Sequence, residues 1–182
     1  MKKATKFLTM FTLIAVIAFT ACGGTSVIAP EKLKLDKAYK FSAAIEFSEF
    51  AVKGEFERKS PNVWEVVMTE PFALEGVVLT YDNGEISATL DNIQTTLSGE
   101  LSVVNYIISA FENAVSGEGR EIISANENII VSSRAGTPAL AYELIFAKKS
   151  LEPKSLTIPA RALNVTFSEV QTSQIVHVVL NN

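Results

Sequence analysis

The sequence predicts a mainly β domain of the α+β class, a strongly curved antiparallel sheet, or half-barrel, wrapped around one long amphipathic helix. Three observations predict it. Apolar residues alternate with polar ones over most of the chain beyond residue 38, the period of a half-buried strand. That period changes once to the helical one, between residues 98 and 117. The strand runs are separated by short turn sequences, the strongest being Asp82-Asn83-Gly84.

Taken in order, residues 39–47 place Tyr39, Phe41, Ala43, Ile45 and Phe47 on one face, with Lys40, Ser42, Ala44, Glu46 and Ser48 on the other. The next run sets Phe50, Val52, Gly54 and Phe56 against Lys53, Glu55, Glu57 and Lys59, and Ser60-Pro61-Asn62 supplies a turn. A third strand, 63–69, puts Trp64, Val66 and Met68 on one side. After Pro71 a fourth is expected over about 72–81. Asn83-Gly84 suits the positive φ angles of a type I′ hairpin, so residues 85–91 return antiparallel, with Ile86, Ala88 and Leu90 inward. Leu101, Val104, Ile107, Ile108, Phe111 and Val115 then form a stripe about four turns long, with Ser98 expected as N-cap and Gly117 as C-cap. Strands resume through Ile129, Ile130 and Val131, and a turn at residues 135–138 leads to Leu140, Tyr142, Leu144 and Phe146. A turn over 148–154 precedes strands at 155–158 and 163–167, and the apolar run 175–180 is the last strand. About nine strands and one helix result, and a helix inserted among strands must find a sheet face to cover.

Residues 1–21 read as a secretory signal, with basic Lys2, Lys3 and Lys6, an apolar stretch over 7–19, and small residues around a lone cysteine in Phe19-Thr20-Ala21-Cys22-Gly23. The order resembles a bacterial lipoprotein signal, although Phe19 stands where such motifs usually carry Leu. The resemblance implies that the Cys22 thiol is acylated, with chains such as palmitate, and becomes the first mature residue. A membrane span needs roughly 20 apolar residues and would outrun this stretch. A plain secreted chain would expose an unpaired thiol. Residues 22–37 then read as the lipidated N-terminus and tether, and 38–182 as one domain. The expected location is the extracytoplasmic face of the cell membrane, held by acylated Cys22. Without the three signal lysines the chain carries 13 basic and 20 acidic residues. A body so acidic is poorly suited to nucleic acid, whose phosphates need clustered Lys and Arg.

Catalysis finds little to stand on. Cys22 is the only cysteine, and once acylated it leaves no thiol for a disulfide, a zinc site or a nucleophile. His177, the only histidine, sits in an apolar strand pattern and makes no Ser/His/Asp set. Glu55, Glu57, Glu65 and Glu75 alternate with apolar residues as solvated strand faces, and are not read as a glycosidase pair. Gly117-Glu118-Gly119 lacks the rest of a phosphate loop, and Asp82-Asn83-Gly84-Glu85 lacks EF-hand spacing. The expectation is no enzyme, no metal and no cofactor.

The candidate functional surface is therefore apolar: Phe41, Phe47, Phe56, Trp64, Met68, Tyr81, Ile107, Ile108, Phe111, Tyr142 and Phe167. For any one of them a packed core is the simpler role, but one helix over a curved sheet can leave a cavity of the kind that takes hydrophobic ligands. Three stretches carry a resemblance: Gly54-Glu55-Phe56-Glu57-Arg58-Lys59-Ser60-Pro61-Asn62-Val63-Trp64; Glu70-Pro71-Phe72-Ala73-Leu74-Glu75-Gly76; and Thr80-Tyr81-Asp82-Asn83-Gly84. With the return strands around Tyr142-Glu143-Leu144 and Leu163-Asn164-Val165, they resemble the LolA/LolB/LppX-like lipoprotein-carrier group. The resemblance implies a half-barrel over an apolar cavity; a freely diffusing carrier would have no anchor, so Cys22 points to a tethered relative. Two readings stand: an anchored, non-catalytic module holding a lipid, acyl chain or lipidated protein, and a structural or interaction lipoprotein with a filled core that binds another envelope protein.

Overall fold

Two meanders joined side by side make one antiparallel sheet. The computed structural model describes residues 26–27, 35–97, 103–116, 120–133 and 141–173. Among them are β1 (Ser26–Val27), β2 (Ala38–Phe47), β3 (Phe50–Ser60), β4 (Val63–Glu70), β5 (Val78–Asp82), β6 (Glu85–Leu90), β7 (Ile93–Leu97), α1 (Val103–Ser116), β8 (Arg120–Ala125), β9 (Asn128–Ser133), β10 (Glu143–Ala147), β11 (Pro153–Ile158) and β12 (Leu163–Ser173). The strand order is β1-β8-β9-β10-β11-β12-β2-β3-β4-β5-β6-β7. Each meander follows from short turns between amphipathic strands, and the pairing of β12 with β2 fuses them, while α1 links β7 to β8.

The sheet is strongly curved, and one ring shows it. β10 and β4 are five strand spacings apart, about 24 Å in a flat sheet. Phe146 on β10 and Trp64 on β4 nevertheless both lie against Phe111 of α1, their ring centroids 6.2 and 5.2 Å from its own. Only a sheet bent round the helix brings them that close. Tyr39, Phe41 and Phe167 complete the cluster around Phe111. The inward strand positions and the helix stripe thus form the core, and Ile107, Ile108, Phe111 and Ala114 are at most 1% exposed. No helix among the described residues is long and apolar enough to cross a membrane.

Local signals held where turn chemistry is strict. Asn83 and Gly84 sit at φ 48° and 98° between Asp82 and Glu85, the expected hairpin. Other expectations are corrected. The stretch 72–81 is not one strand: Phe72–Leu74 forms a 3-10 turn, Gly76 adopts φ 81°, and β5 begins only at Val78. Bonds from Leu74 N to Pro71 O and from Gly76 N to Met68 O replace the ladder there. More strands exist than the alternation announced. β7 has polar residues at its three central positions, and β8 exposes or half-buries most of its residues, so neither shows a clear apolar alternation. Within the stretch read as a tether, Ser26–Val27 pairs with β8, and Leu35 is fully buried, its carbonyl accepting from the Tyr39 hydroxyl at 2.8 Å. The signal, Cys22, Ser98, Leu101, Gly117 to Gly119, the turn at 135–138, Leu140 and the 175–180 strand with His177 lie outside the described residues.

Burial raises two tyrosine pKa values. Tyr142 is pushed up to about 12 by desolvation, against a smaller opposing effect of Arg120. Tyr39 is pushed further in the same direction by desolvation, against Arg58. An acid whose folded pKa is raised stabilises the fold fully below its unfolded pKa, near 10, and that stability is lost as pH rises towards the folded value. Above pH ~10 the chain should lose on the order of 1.4 kcal/mol per pH unit for each of these tyrosines. Phenolate absorbance followed beside circular dichroism will check it: these two rings should ionise together with unfolding, and their ionisation in the folded chain near pH 10 would contradict the burial.

Candidate functional site

Side-chain size along the inner face decides where space remains. Where β2, β3 and β4 present Phe41, Phe56 and Trp64, the rings meet one another and Phe111 and fill the interior. Further along the same strands the inward residues shrink to Ile45, Val52 and Met68, continued by Leu79 on β5 and Ala88 on β6. The helix has only reached its first turn there, with Val103 and Val104. An open pocket of about 430 Å³ results. Ile45, Phe47, Phe50, Val52, Met68, Leu74, Val77, Leu79, Ala88, Leu97, Val103 and Val104 line it, and every one is apolar.

The surroundings of the pocket are apolar as well. The large exposed hydrophobic residues among those described are Phe50, Phe72, Leu74, Leu90, Ile93 and Leu97, and three of them belong to the pocket wall. Phe50 is 72% exposed and Ile93 76%, while Phe72, on the 3-10 turn beside Leu74, reaches 89%. Register puts Leu90, Ile93 and Leu97 on the inner face with Ile86 and Ala88. Apolar area so clustered marks a binding surface more often than scattered single residues do.

Of the eleven apolar residues singled out from the sequence, Phe47 and Met68 line this pocket. Phe41, Phe56, Trp64, Tyr81, Ile107, Ile108, Phe111, Tyr142 and Phe167 are packed in the core. Missed altogether was the wall made of small or half-exposed residues, Ala88, Val77 and Val103, because a void is a deficit of volume and no single residue type announces it.

A buried ionic network ties the helix down farther along. Arg58 is fully buried. Its Nε and Nη2 donate to the two oxygens of Glu112 at 2.7 and 2.8 Å, and its Nη1 donates to Asp36 Oδ1 and the Lys37 carbonyl, both at 2.7 Å. Trp64 Nε1 donates to Glu112 Oε1 at 2.7 Å. Burial opposes the guanidinium charge, but Glu112 and Asp36 outweigh it and the Arg58 pKa ends above its ordinary value. Every Arg58 nitrogen is engaged, so the network is a fastening rather than a reactive centre. It joins α1 to β3, β4 and the segment before β2, eight residues or about 12 Å along the helix from Val104. Its signal was present in the sequence: Arg58 falls in phase with Phe56, and Glu112 lies inside the stripe between Phe111 and Val115.

The other ion pairs among the described residues are superficial. Glu57 pairs with Lys40, Glu65 with Lys59 and Glu70 with Lys53, all substantially exposed and worth little stability. Lys40 and Glu57 also border a polar cleft of about 260 Å³ beside the β12 irregularity, where they face each other. Among the described residues no group of three or more His, Cys, Asp or Glu is placed to hold a metal ion.

No protein-family model and no curated protein matches the chain. Among solved structures it is similar to an uncharacterized conserved protein from Thermus thermophilus, at a TM-score of 0.44 and 12% identity over 79% of this chain and 83% of that one. It is also similar to a LolA superfamily protein from Nitrosomonas europaea, at a TM-score of 0.40 and 8% identity over 85% of this chain and 94% of that one.

Proposed function

We propose that this chain is a membrane-anchored, non-catalytic lipoprotein that holds an acyl chain, or a hydrophobic ligand of similar shape, in the pocket between α1 and β2 to β7. The observation that carries the reading is the pocket of about 430 Å³ whose lining, among the described residues, is made of apolar side chains alone. Its size falls within the ~300–1,000 Å³ usual for small-molecule sites. Among the described residues none of the fixed polar groups that orient a polar substrate lines it, so selection by these residues rests on shape and on removing hydrocarbon from water. Each methylene buried contributes about 0.8 kcal/mol, while a headgroup stays at the mouth, where water reaches it. The Arg58–Glu112 pair fastens α1 eight residues beyond Val104, while its first turn, Val103 and Val104, forms part of the wall against which the ligand would lie. Acylated Cys22 supplies the attachment to the membrane.

Native mass spectrometry of the chain from Gly24 onward, purified without its anchor, tests the pocket. Lipid should co-purify, and a clean ligand-free mass across several lipid extracts would overturn the reading. Ala88→Trp sets an indole on the pocket floor and should weaken binding of a fluorescent fatty acid about tenfold or more, because the space it fills is the ligand's. The melting temperature shows whether that variant stays folded. Labelling cells with an alkyne analogue of palmitate tests the anchor: Cys22→Ser should lose the label and leave the membrane fraction, and retention of both would refute acylation at Cys22.

A further inference from the structure

The described lining of the pocket is apolar, yet a cation is fixed at its edge. Arg161 ends the 3-10 turn Pro159–Arg161 between β11 and β12. Two sets of contacts place it. Its guanidinium carbon lies 4.6 Å from the centre of the Tyr106 ring, and Tyr106 follows Val103 of the pocket wall by three residues, hence on the same side of α1. On the sheet side, the Ala162 carbonyl accepts from Ser48 N at 3.4 Å, and Leu163 stands opposite Phe47, which lines the pocket. Arg161 therefore stands beside the pocket, reached from α1 through Tyr106 and from β2 through Ala162. It is exposed and, among the described residues, pairs with no carboxylate, whereas Lys40, Lys53, Arg58, Lys59 and Lys149 each do. Glu49, on the β2–β3 turn next to Ser48, is exposed and makes no ion pair with it. A guanidinium held over an aromatic face loses less freedom when an anion takes its N–H donors.

We infer that Arg161 receives the headgroup of the pocket's ligand, so that this ligand is an anionic amphiphile with its hydrocarbon chain in the pocket and a carboxylate or phosphate on the guanidinium. The inference rests on the reading of the pocket as a hydrocarbon site. Apolar pockets ordinarily orient their ligands with a small number of placed polar groups, and Arg161 supplies beside the wall what the lining lacks. Its planar fork suits either headgroup, since both present two oxygens side by side. The opposite side is acidic. Glu75 follows Leu74 of the pocket wall and Asp91 follows Leu90, both carboxylates being exposed, so an anion is turned away from β5 to β7 and towards α1. Exposure of Arg161 and the presence of Glu49 keep the attraction modest, which sets the size of the expected effect.

The test displaces N-phenylnaphthylamine, an uncharged fluorophore, from the full chain held in a non-ionic amphipol. Dodecanoate, dodecyl phosphate and dodecanol are the matched competitors, at low salt and pH ~8, where both acidic headgroups are ionised. The unsubstituted chain should bind at least one of the two anions about tenfold more tightly than dodecanol. Arg161→Gln should remove that preference and leave the affinity for dodecanol where it was, while Arg161→Lys should keep part of the preference. Raised salt should shrink it. The anion that loses more on Arg161→Gln identifies the headgroup as carboxylate or phosphate. Equal affinity for all three competitors overturns the inference and leaves the pocket reading intact, as does a preference that survives Arg161→Gln. Failure of every competitor to bind overturns both. Should Arg161→Gln fail to fold, the unsubstituted chain decides, because a preference indifferent to salt overturns the inference.

Discussion

Glu112→Ala is expected to cost about 3–5 kcal/mol of folding stability, because it leaves the Arg58 guanidinium buried without its two-pronged partner. Asp36 still holds one nitrogen, but its side chain is half exposed, and it faces Nη1 rather than the Nε and Nη2 that Glu112 occupied. The Trp64 indole N–H loses its acceptor in the same substitution. Against a total of ~5–15 kcal/mol for a typical domain the loss is large. It corresponds to a fall in melting temperature of roughly 6–20 °C. Urea denaturation measures it directly. The paired replacement Arg58→Met with Glu112→Leu separates the cause from simple loss of packing: removing both charges together should recover much of the stability, since desolvation of the pair offsets most of its attraction. A double variant no more stable than Glu112→Ala would show that the ionic geometry itself stabilises the fold. Because this network fastens the helix beside the pocket, Glu112→Ala should also change the affinity for the proposed hydrophobic ligand, whereas removing an exposed pair such as Lys59–Glu65 should change neither.

That network bounds how far the sequence could be read. Strands with one wet and one dry face were legible, because burial on one side imprints a period of two; β2, β3 and β4 carry it over most of their lengths. The helix was legible for the same reason with its own period, and the Asn83-Gly84 hairpin because few residues tolerate its backbone angles. What lies at the rim was not. β7 buries little, so nothing constrains its composition, β1 is only two residues long, and the 3-10 turn after Pro71 borrows apolar residues that look like strand. Arg58 and Glu112 kept the inward phase yet broke the polarity rule, and each makes sense only beside a partner 54 residues away. The pocket is further from the sequence still. It follows from the balance between Phe41, Phe56 and Trp64, which fill one part of the concavity, and Ile45, Val52 and Ala88, which do not reach across the other. Composition shows that all these residues are apolar, and only their placement on a bent sheet shows which of them leave space.

Phe111→Ala should be as damaging as the loss of Glu112, by a different mechanism. The ring is fully buried and meets Tyr39, Phe41, Trp64, Phe146 and Phe167, which come from four strands spread across the sheet. Truncation removes the apolar surface and leaves a cavity that five large rings cannot close without flattening the sheet, so about 3–5 kcal/mol is expected. Phe111→Leu keeps much of the volume and should cost clearly less; an equal loss for both would mean that the edge-to-face ring geometry, worth ~0.5–1.5 kcal/mol per pair, outweighs cavity formation. The two large effects should not add. Trp64 packs edge-on against Phe111 and donates to Glu112, so each substitution frees the ring that the other relies on. A double-mutant cycle should therefore show a coupling of ~0.5–3 kcal/mol, with the double variant less destabilised than the two losses combined. Strict additivity would place the ionic fastening and the aromatic cluster in separate energetic units, each holding α1 to the sheet independently of the other.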